Sequence, residues 1–230
     1  GAAYVFVRSG TEWDEQAILT ASNKAADDQF GFCGCVTNNY ALIGARLADP
    51  SSVNNAGAAY VFVRSETGWS EQAILTASNK APNTEFGYSV SLTDNYALVG
   101  ARYTSPDSIS VAGAAYVFVR SGTTWSQQAY LTASNKVNDD YFGESVSLTN
   151  NYALVGAHGA DVSPSRDAGA AYVFVRSGTT WSQQAILTAS NKAQDDQFGI
   201  SVALTDNYAL IGLVSASRSY IFTRSGSMWT

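Results

Sequence analysis

The chain has 230 residues, 46% hydrophobic and 14% charged, which suits a buried core and lacks the charge density of a disordered tail. Its 13 Lys and Arg against 19 Asp and Glu give a net charge of −6, leaving no basic field for nucleic acid or an anionic bilayer. No apolar run reaches the roughly 18 residues of a membrane helix, and one histidine, two cysteines and one methionine supply little for metal or acid–base chemistry, so membrane insertion and catalysis are disfavoured.

Gly1 opens directly into the strand-like AAYVFVR without a signal peptide ahead of it, as expected of a piece of a longer polypeptide. The segment GAAYVFVRS recurs at Gly1, Gly57, Gly113 and Gly169, a period of 56 residues, and a diverged copy, SRSYIFTRS, follows near the end. Anchored on Tyr4, Tyr60, Tyr116, Tyr172 and Tyr220, the last interval is 48 residues. Because Tyr40, Tyr96, Tyr152 and Tyr208 each keep a spacing of 36 from the preceding anchor, the deletion falls after residue 212. A shortened loop over 213–218 is predicted, since loops absorb length changes cheaply.

One unit reads as four strands, a to d. In the second copy these are 88–93, 96–101, 114–120 and 128–133, rich in β-branched and aromatic residues and free of any sustained 3.6-residue period. Strands b and c are apolar on both faces, which predicts sheets stacked on neighbouring sheets. The a–b turns are Asn38-Asn39, Asp94-Asn95, Asn150-Asn151 and Asp206-Asn207, types suited to tight hairpins, and SGTTW or a variant makes a slightly longer c–d hairpin. The predicted fold is all-β: a β-propeller of four-stranded antiparallel blades with a 56-residue repeat. Blade-like units are expected at 31–78, 87–134 and 143–190, with partial units at 1–24 and 199–230, seventeen strands plus an SMWT tail. Either the C-terminal a and b strands pair with the N-terminal c and d to close a ring, or the chain is a section of a larger ring or of an array that assembles with itself.

Phe30-Gly31, Phe86-Gly87, Phe142-Gly143 and Phe198-Gly199 precede each strand a, and Gly44-Ala45, Gly100-Ala101 and Gly156-Ala157 end strand b, with Gly212-Leu213 in the last copy. In these two clusters the chain resembles the FG-GAP repeat family of integrin α-subunit propellers and many secreted or surface proteins. The proline that completes the family name is absent from every copy. The resemblance implies a propeller, an extracellular or cell-surface location and protein partners. It also implies calcium in a DxDxDG loop between strands a and b, but the two-residue turns here are too short to supply six oxygens, so no cofactor is expected.

Several residues invite a chemical reading. Trp13, Trp69, Trp125 and Trp181, with Trp229, lie nine residues after each anchor tyrosine, where an indole can stack on a sugar or pack between blades; packing is the simpler reading. Asp27, Asp28, Asp139, Asp140, Asp195 and Asp196, with Glu85, cluster before strand a, each near Lys24, Lys80, Lys136 or Lys192. They read as turn-forming carboxylates before they read as a weak metal site. Cys33 and Cys35 stand where other copies carry Ser89 and Ser91, or Ser145 and Ser147. Small buried thiols are favoured over a strained disulfide, a redox pair or a crosslink. His158, beside Asp161 and Asp167, falls short of a zinc set.

Antiparallel order puts the b–c and d–a loops on one face and both hairpins on the other. The hairpins repeat almost unchanged, whereas the b–c loops LADPSSVNNA, YTSPDSISVA and HGADVSPSRDA differ, so recognition is expected there. The leading functional expectation is a non-catalytic extracellular scaffold for adhesion or assembly through protein contacts. A lectin-like glycan binder with one site per blade comes second, and an accessory domain of a secreted hydrolase third; no Asn-x-Ser/Thr sequon supports secretion.

Overall fold

The structure, a computed structural model, describes residues 1–215 and 218–230. It is all-β. The first sheet has two strands, β1 (Ala3–Ser9) and β2 (Glu12–Leu19). Four sheets of four strands follow. The second holds β3 (Phe30–Val36), β4 (Tyr40–Ala45), β5 (Ala58–Ser65) and β6 (Gly68–Leu75). The third holds β7 (Ser89–Leu92), β8 (Tyr96–Ala101), β9 (Ala114–Ser121) and β10 (Thr124–Leu131). The fourth holds β11 (Ser145–Leu148), β12 (Tyr152–Ala157), β13 (Ala170–Ser177) and β14 (Thr180–Leu187). The fifth holds β15 (Ser201–Leu204), β16 (Tyr208–Gly212), β17 (Ser219–Ser225) and β18 (Met228–Trp229).

Each four-stranded sheet is an antiparallel meander in chain order, the a-b-c-d order of the repeat. Two expectations are corrected. The SMWT tail forms β18, so the described strands number eighteen and the last sheet is completed by its own β17 and β18; of the two arrangements, the one in which β15 and β16 pair with the N-terminal strands is not formed, and β1 pairs with β2 alone. Strand d is also longer than expected: β10 begins at Thr124, with two residues between it and the end of β9, one of them Gly122 at φ 61°. The tryptophans therefore lie inside strand d and not in the hairpin. Of the shortened loop expected at 213–218, residues 216 and 217 lie outside the described residues.

The core lies between sheets. Four apolar clusters each join one sheet to the next, so every inner sheet is covered on both faces. Strands b and c carry the weight of this packing: Leu42, Leu98, Leu154, Tyr60, Tyr116 and Tyr172 are all but fully buried. The Phe of each FG pair stands edge-on to the Tyr and Phe of its own strand c, as Phe86 does to Tyr116 and Phe118 at 5.3 and 6.0 Å.

The glycines explain why FG and GA recur together. A methyl on Gly100 would overlap the carbonyl oxygen of Gly143 in the next sheet, and Gly44 and Gly156 meet Gly87 and Gly199 in the same way. Gly87, Gly143 and Gly199 have φ between 90° and 95°, a region costly for residues with a Cβ. At this end of the strands the sheets touch backbone to backbone.

Candidate functional site

That close approach draws together the residues that follow each glycine cluster. After FG come Phe32, Tyr88, Glu144 and Ile200; after GA or its counterpart come Arg46, Arg102, His158 and Val214. In the second to fourth sheets they form a polar row across one face. Arg46 donates Nε to Gln29 at 2.7 Å and Nη1 to both oxygens of Glu85 at 3.0 Å. Arg102 lies over the Tyr88 ring, 3.8 Å from its centroid. It donates to Glu144 at 3.0 Å and sits 3.4 Å from Glu85. His158 closes the row, stacked on Tyr141 at 4.9 Å with Nδ1 3.7 Å from Glu144. Burial holds the His158 pKa below its ordinary value, with Glu144 opposing, so the imidazole is neutral at pH 7.

Beyond His158 the row stops, because Ile200 and Val214 replace its charged members. A cavity of about 450 Å³ opens there, lined by Arg102, Tyr103, Asp139, Tyr141, His158, Gly159, Arg166, Asp167, Asp195 and Gln197. Tyr103 and Tyr141 meet edge to face at 5.9 Å. The walls come from b–c loops and from the d–a loops of following sheets, which are joined by backbone bonds such as Asp195 N–H to Arg166 O at 3.1 Å and Gln197 N–H to Asp167 O at 3.1 Å. Arginines, carboxylates and two aromatic rings together suit a ligand with polar edges and a flat apolar face.

The paired carboxylates divide into two structural roles. Asp27, Asp139 and Asp195 have φ of 61° to 66°, the left-handed conformation that aspartate tolerates best after glycine and asparagine. Asp28, Asp140 and Asp196 turn inward and accept the N–H of Ala25, Val137 and Ala193, three residues earlier. Thr84 takes this place in the second copy, where its hydroxyl donates to Ala81 O and Ala56 O. Burial pushes the Asp140 carboxyl up to about 6. Glu85 belongs to the polar row instead. Among the described residues no group of three or more His, Cys, Asp or Glu is placed to hold a metal ion.

The tryptophans make a second periodic array, on strand d. Trp69, Trp125, Trp181 and Trp229 each donate Nε1 at 2.9 Å to Gln16, Gln72, Gln128 and Gln184 of the preceding sheet. Each acceptor is the bulged residue of its strand, which the broken register turns outward toward the indole. Trp125, Trp181 and Trp229 are buried, also edge-on to Tyr40, Tyr96 and Tyr152. Trp13 differs: it is 65% exposed on the outer face of the first sheet.

Both cysteines are free thiols on β3. Cys33 Sγ donates to Gly87 O at 3.3 Å, the bond that Ser89 and Ser145 make at 2.7 Å to Gly143 and Gly199. Burial pushes its pKa up to about 12 and also raises that of Cys35, so neither thiol is poised as a thiolate.

Sequence reasoning picked out His158 and the carboxylates but passed over Arg46, Arg102, Tyr88, Tyr103, Tyr141 and Glu144. Aligning the repeats and marking the positions where near-identical copies disagree would have found them. Among the described residues no helix is long and apolar enough to cross a membrane. No curated protein sequence matches the chain. The model of the FG-GAP repeat matches residues 13–62, 69–118, 125–174 and 181–229, most of the chain in four successive copies, and the chain belongs to the FG-GAP repeat family.

Proposed function

We propose that the chain is a non-catalytic extracellular repeat scaffold, built as a β-propeller or an arc of one, whose b–c and d–a loop face binds protein partners in adhesion or assembly. The observation that carries the reading is where the copies differ. The backbone contacts, aromatic clusters and Trp–Gln bonds repeat from sheet to sheet, while the substitutions gather on one face around a polar cavity. A scaffold holds its frame constant and varies its contact residues. Family membership supports the protein-binding role. The propeller reading draws on sheets stacked face to face that touch backbone to backbone at one strand end, which favours a fan over a straight stack.

Calcium has no part in this proposal, since each a–b connection is a two-residue turn closed by a backbone bond such as Thr93 N–H to Tyr96 O at 2.8 Å. A catalytic role is not proposed either: the only histidine is stacked on Tyr141 beside Glu144 at the end of the polar row. Saccharide binding is the second reading, favoured by Tyr103 and Tyr141 beside carboxylates and arginine in the cavity.

Grafting residues 47–55 onto 103–111 and 159–167 makes all three b–c loops alike without importing a foreign loop. The purified chain and this graft are compared on an array of extracellular proteins and glycans. Protein ligands bound by the parent and lost by the graft support the proposal. Loss confined to glycans supports the second reading, and an unchanged profile overturns both.

A further inference from the structure

Tyr103 lines not only the charged cavity but a second one, of about 380 Å³, between the d–a loop that leaves the second sheet and the b–c loop and strand d of the third. The rings of Tyr103, Tyr130, Pro82 and Pro106 line it together with Asn79 and Asp107. The aromatic walls are held in place. Arg102 lies over the Tyr103 ring at 4.5 Å and donates Nη2 to its hydroxyl at 3.1 Å, while Tyr130 leans on the buried Tyr116, 5.1 Å between centroids. Asn79 Oδ1 accepts the Tyr116 hydroxyl at 2.9 Å, and the same amide meets the Tyr130 hydroxyl, so an amide and a phenol stand together at one side.

The two cavities differ in charge. Arginines, His158 and three carboxylates line the first, whereas Asp107 is the one charged residue lining the second, and Lys136 pairs with it at 3.0 Å. The second also belongs to a single junction. Pro82, Tyr103 and Tyr130 stand where the preceding copy carries Ala26, Leu47 and Ile74 and the following copy Asn138, Gly159 and Ile186. Ile74 and Ile186 are 41% and 42% exposed and Tyr130 is 40% exposed, so covering the core does not call for the larger ring.

We propose that this second cavity binds an uncharged sugar ring of a saccharide, stacked on Tyr130 and hydrogen-bonded by the Asn79 amide. A neutral pyranose has an apolar C–H face and a rim of hydroxyls, which tyrosine and proline rings beside an amide and a phenol complement, and the volume falls within the about 300 to 1,000 Å³ of small-molecule sites. A charged ligand finds no free counter-ion here, because Asp107 is already paired. The inference stands apart from protein partners and from a saccharide in the first cavity. Asn79 and Tyr130 line only the second, and both lie outside the grafted loops, so it survives if either of those readings fails.

The test titrates the 230-residue chain with methyl glycosides of neutral hexoses, 6-deoxyhexoses and N-acetylhexosamines, and with glucuronic acid and glucosamine as charged controls, by saturation-transfer NMR and calorimetry. At least one neutral glycoside should bind through its C–H face, at one per chain, and more tightly than either control. Tyr130→Ile, which restores the residue at Ile18, Ile74 and Ile186, should weaken that binding about tenfold and leave the fold intact by circular dichroism. Tyr141→Gln, which restores the residue at Gln29 and Gln197 and alters only the first cavity, should leave it unchanged. Absence of neutral-glycoside binding overturns the proposal, as does equal binding by Tyr130→Ile or tighter binding of a charged control. A loss with Tyr141→Gln in place of Tyr130→Ile also overturns it, by placing the sugar in the first cavity.

Discussion

Single residues decide how near the sheets come. Gly100→Ala places a methyl against the carbonyl of Gly143, which cannot retreat without separating two sheets, so about 3 kcal/mol of stability should be lost. Gly212→Ala is the matched control: its methyl meets the hydroxyl of Ser201 in its own sheet, which can rotate away, and the loss should stay under about 1 kcal/mol. Denaturant unfolding of the two variants checks the difference, and equal losses would refute the backbone-contact account. The motif glycines were visible in the sequence, but their purpose was not, because each is needed by a residue 43 positions away.

Asp140 gives a pH dependence. Burial is the largest cause of its raised pKa, the Val137 N–H opposes it, and Asp161 and Asp139 add to it. The folded state therefore holds this proton more tightly than the unfolded chain, whose carboxyl titrates near 3.9. The associated stability is complete below about pH 4 and is lost as pH rises through about 6. Asp140→Asn can still accept the Val137 N–H and carries no charge. It should exceed the parent by about 1 to 2 kcal/mol at pH 7, after discounting for solvent screening, and converge with it below pH 4. Melting temperatures across that range are the measurement; parallel profiles would assign the titration to another group.

At the scale of elements, the register of strand d links one sheet to the next. The bulge turns Gln72 toward Trp125, so the irregularity in β6 and the indole in β10 make one device. Trp125→Phe keeps most of the ring packing against Tyr40 and removes the donor, which should cost about 1 kcal/mol. Gln72→Ala should cost a similar amount, and the double variant less than the sum, because both remove one bond. Additive losses in this cycle would show that the bond contributes nothing. Four strands per unit were legible from composition and turn residues, and β8 spans the tyrosine-led apolar run at 96–101. The start of strand d was not legible. SGTTW reads as a loop by composition, and only pairing with β9 shows Thr124 and Trp125 extended opposite Ser121 and Arg120. The polar row escaped for a related reason: Arg102, Glu85 and Glu144 are spread over 60 residues and meet only when sheets stack.

Across the whole molecule, similar sheets differ in how many neighbours cover them, so their local stabilities should differ by more than their sequences do. Leu98 and Val117 of the third sheet are fully buried, whereas their counterparts in the fifth, Leu210 and Ile221, are 43% and 68% exposed. Tyr4 and Phe6 are likewise uncovered on the first sheet, while Tyr60 and Phe62 are buried in the second. Each uncovered side chain forgoes roughly 1.5 to 3 kcal/mol, which a nearest-neighbour stack loses locally. Native-state hydrogen exchange should therefore be slowest in β8, β9, β12 and β13 and at least about a hundredfold faster in β1, β2, β17 and β18. This gradient distinguishes an open arc from a ring. If the first and fifth sheets meet in solution, Tyr4, Phe6, Leu210 and Ile221 cover one another and protection becomes even around the molecule. Uniform exchange in a monomer would thus reject the open arrangement, while a gradient that disappears with rising concentration would place the contact between molecules.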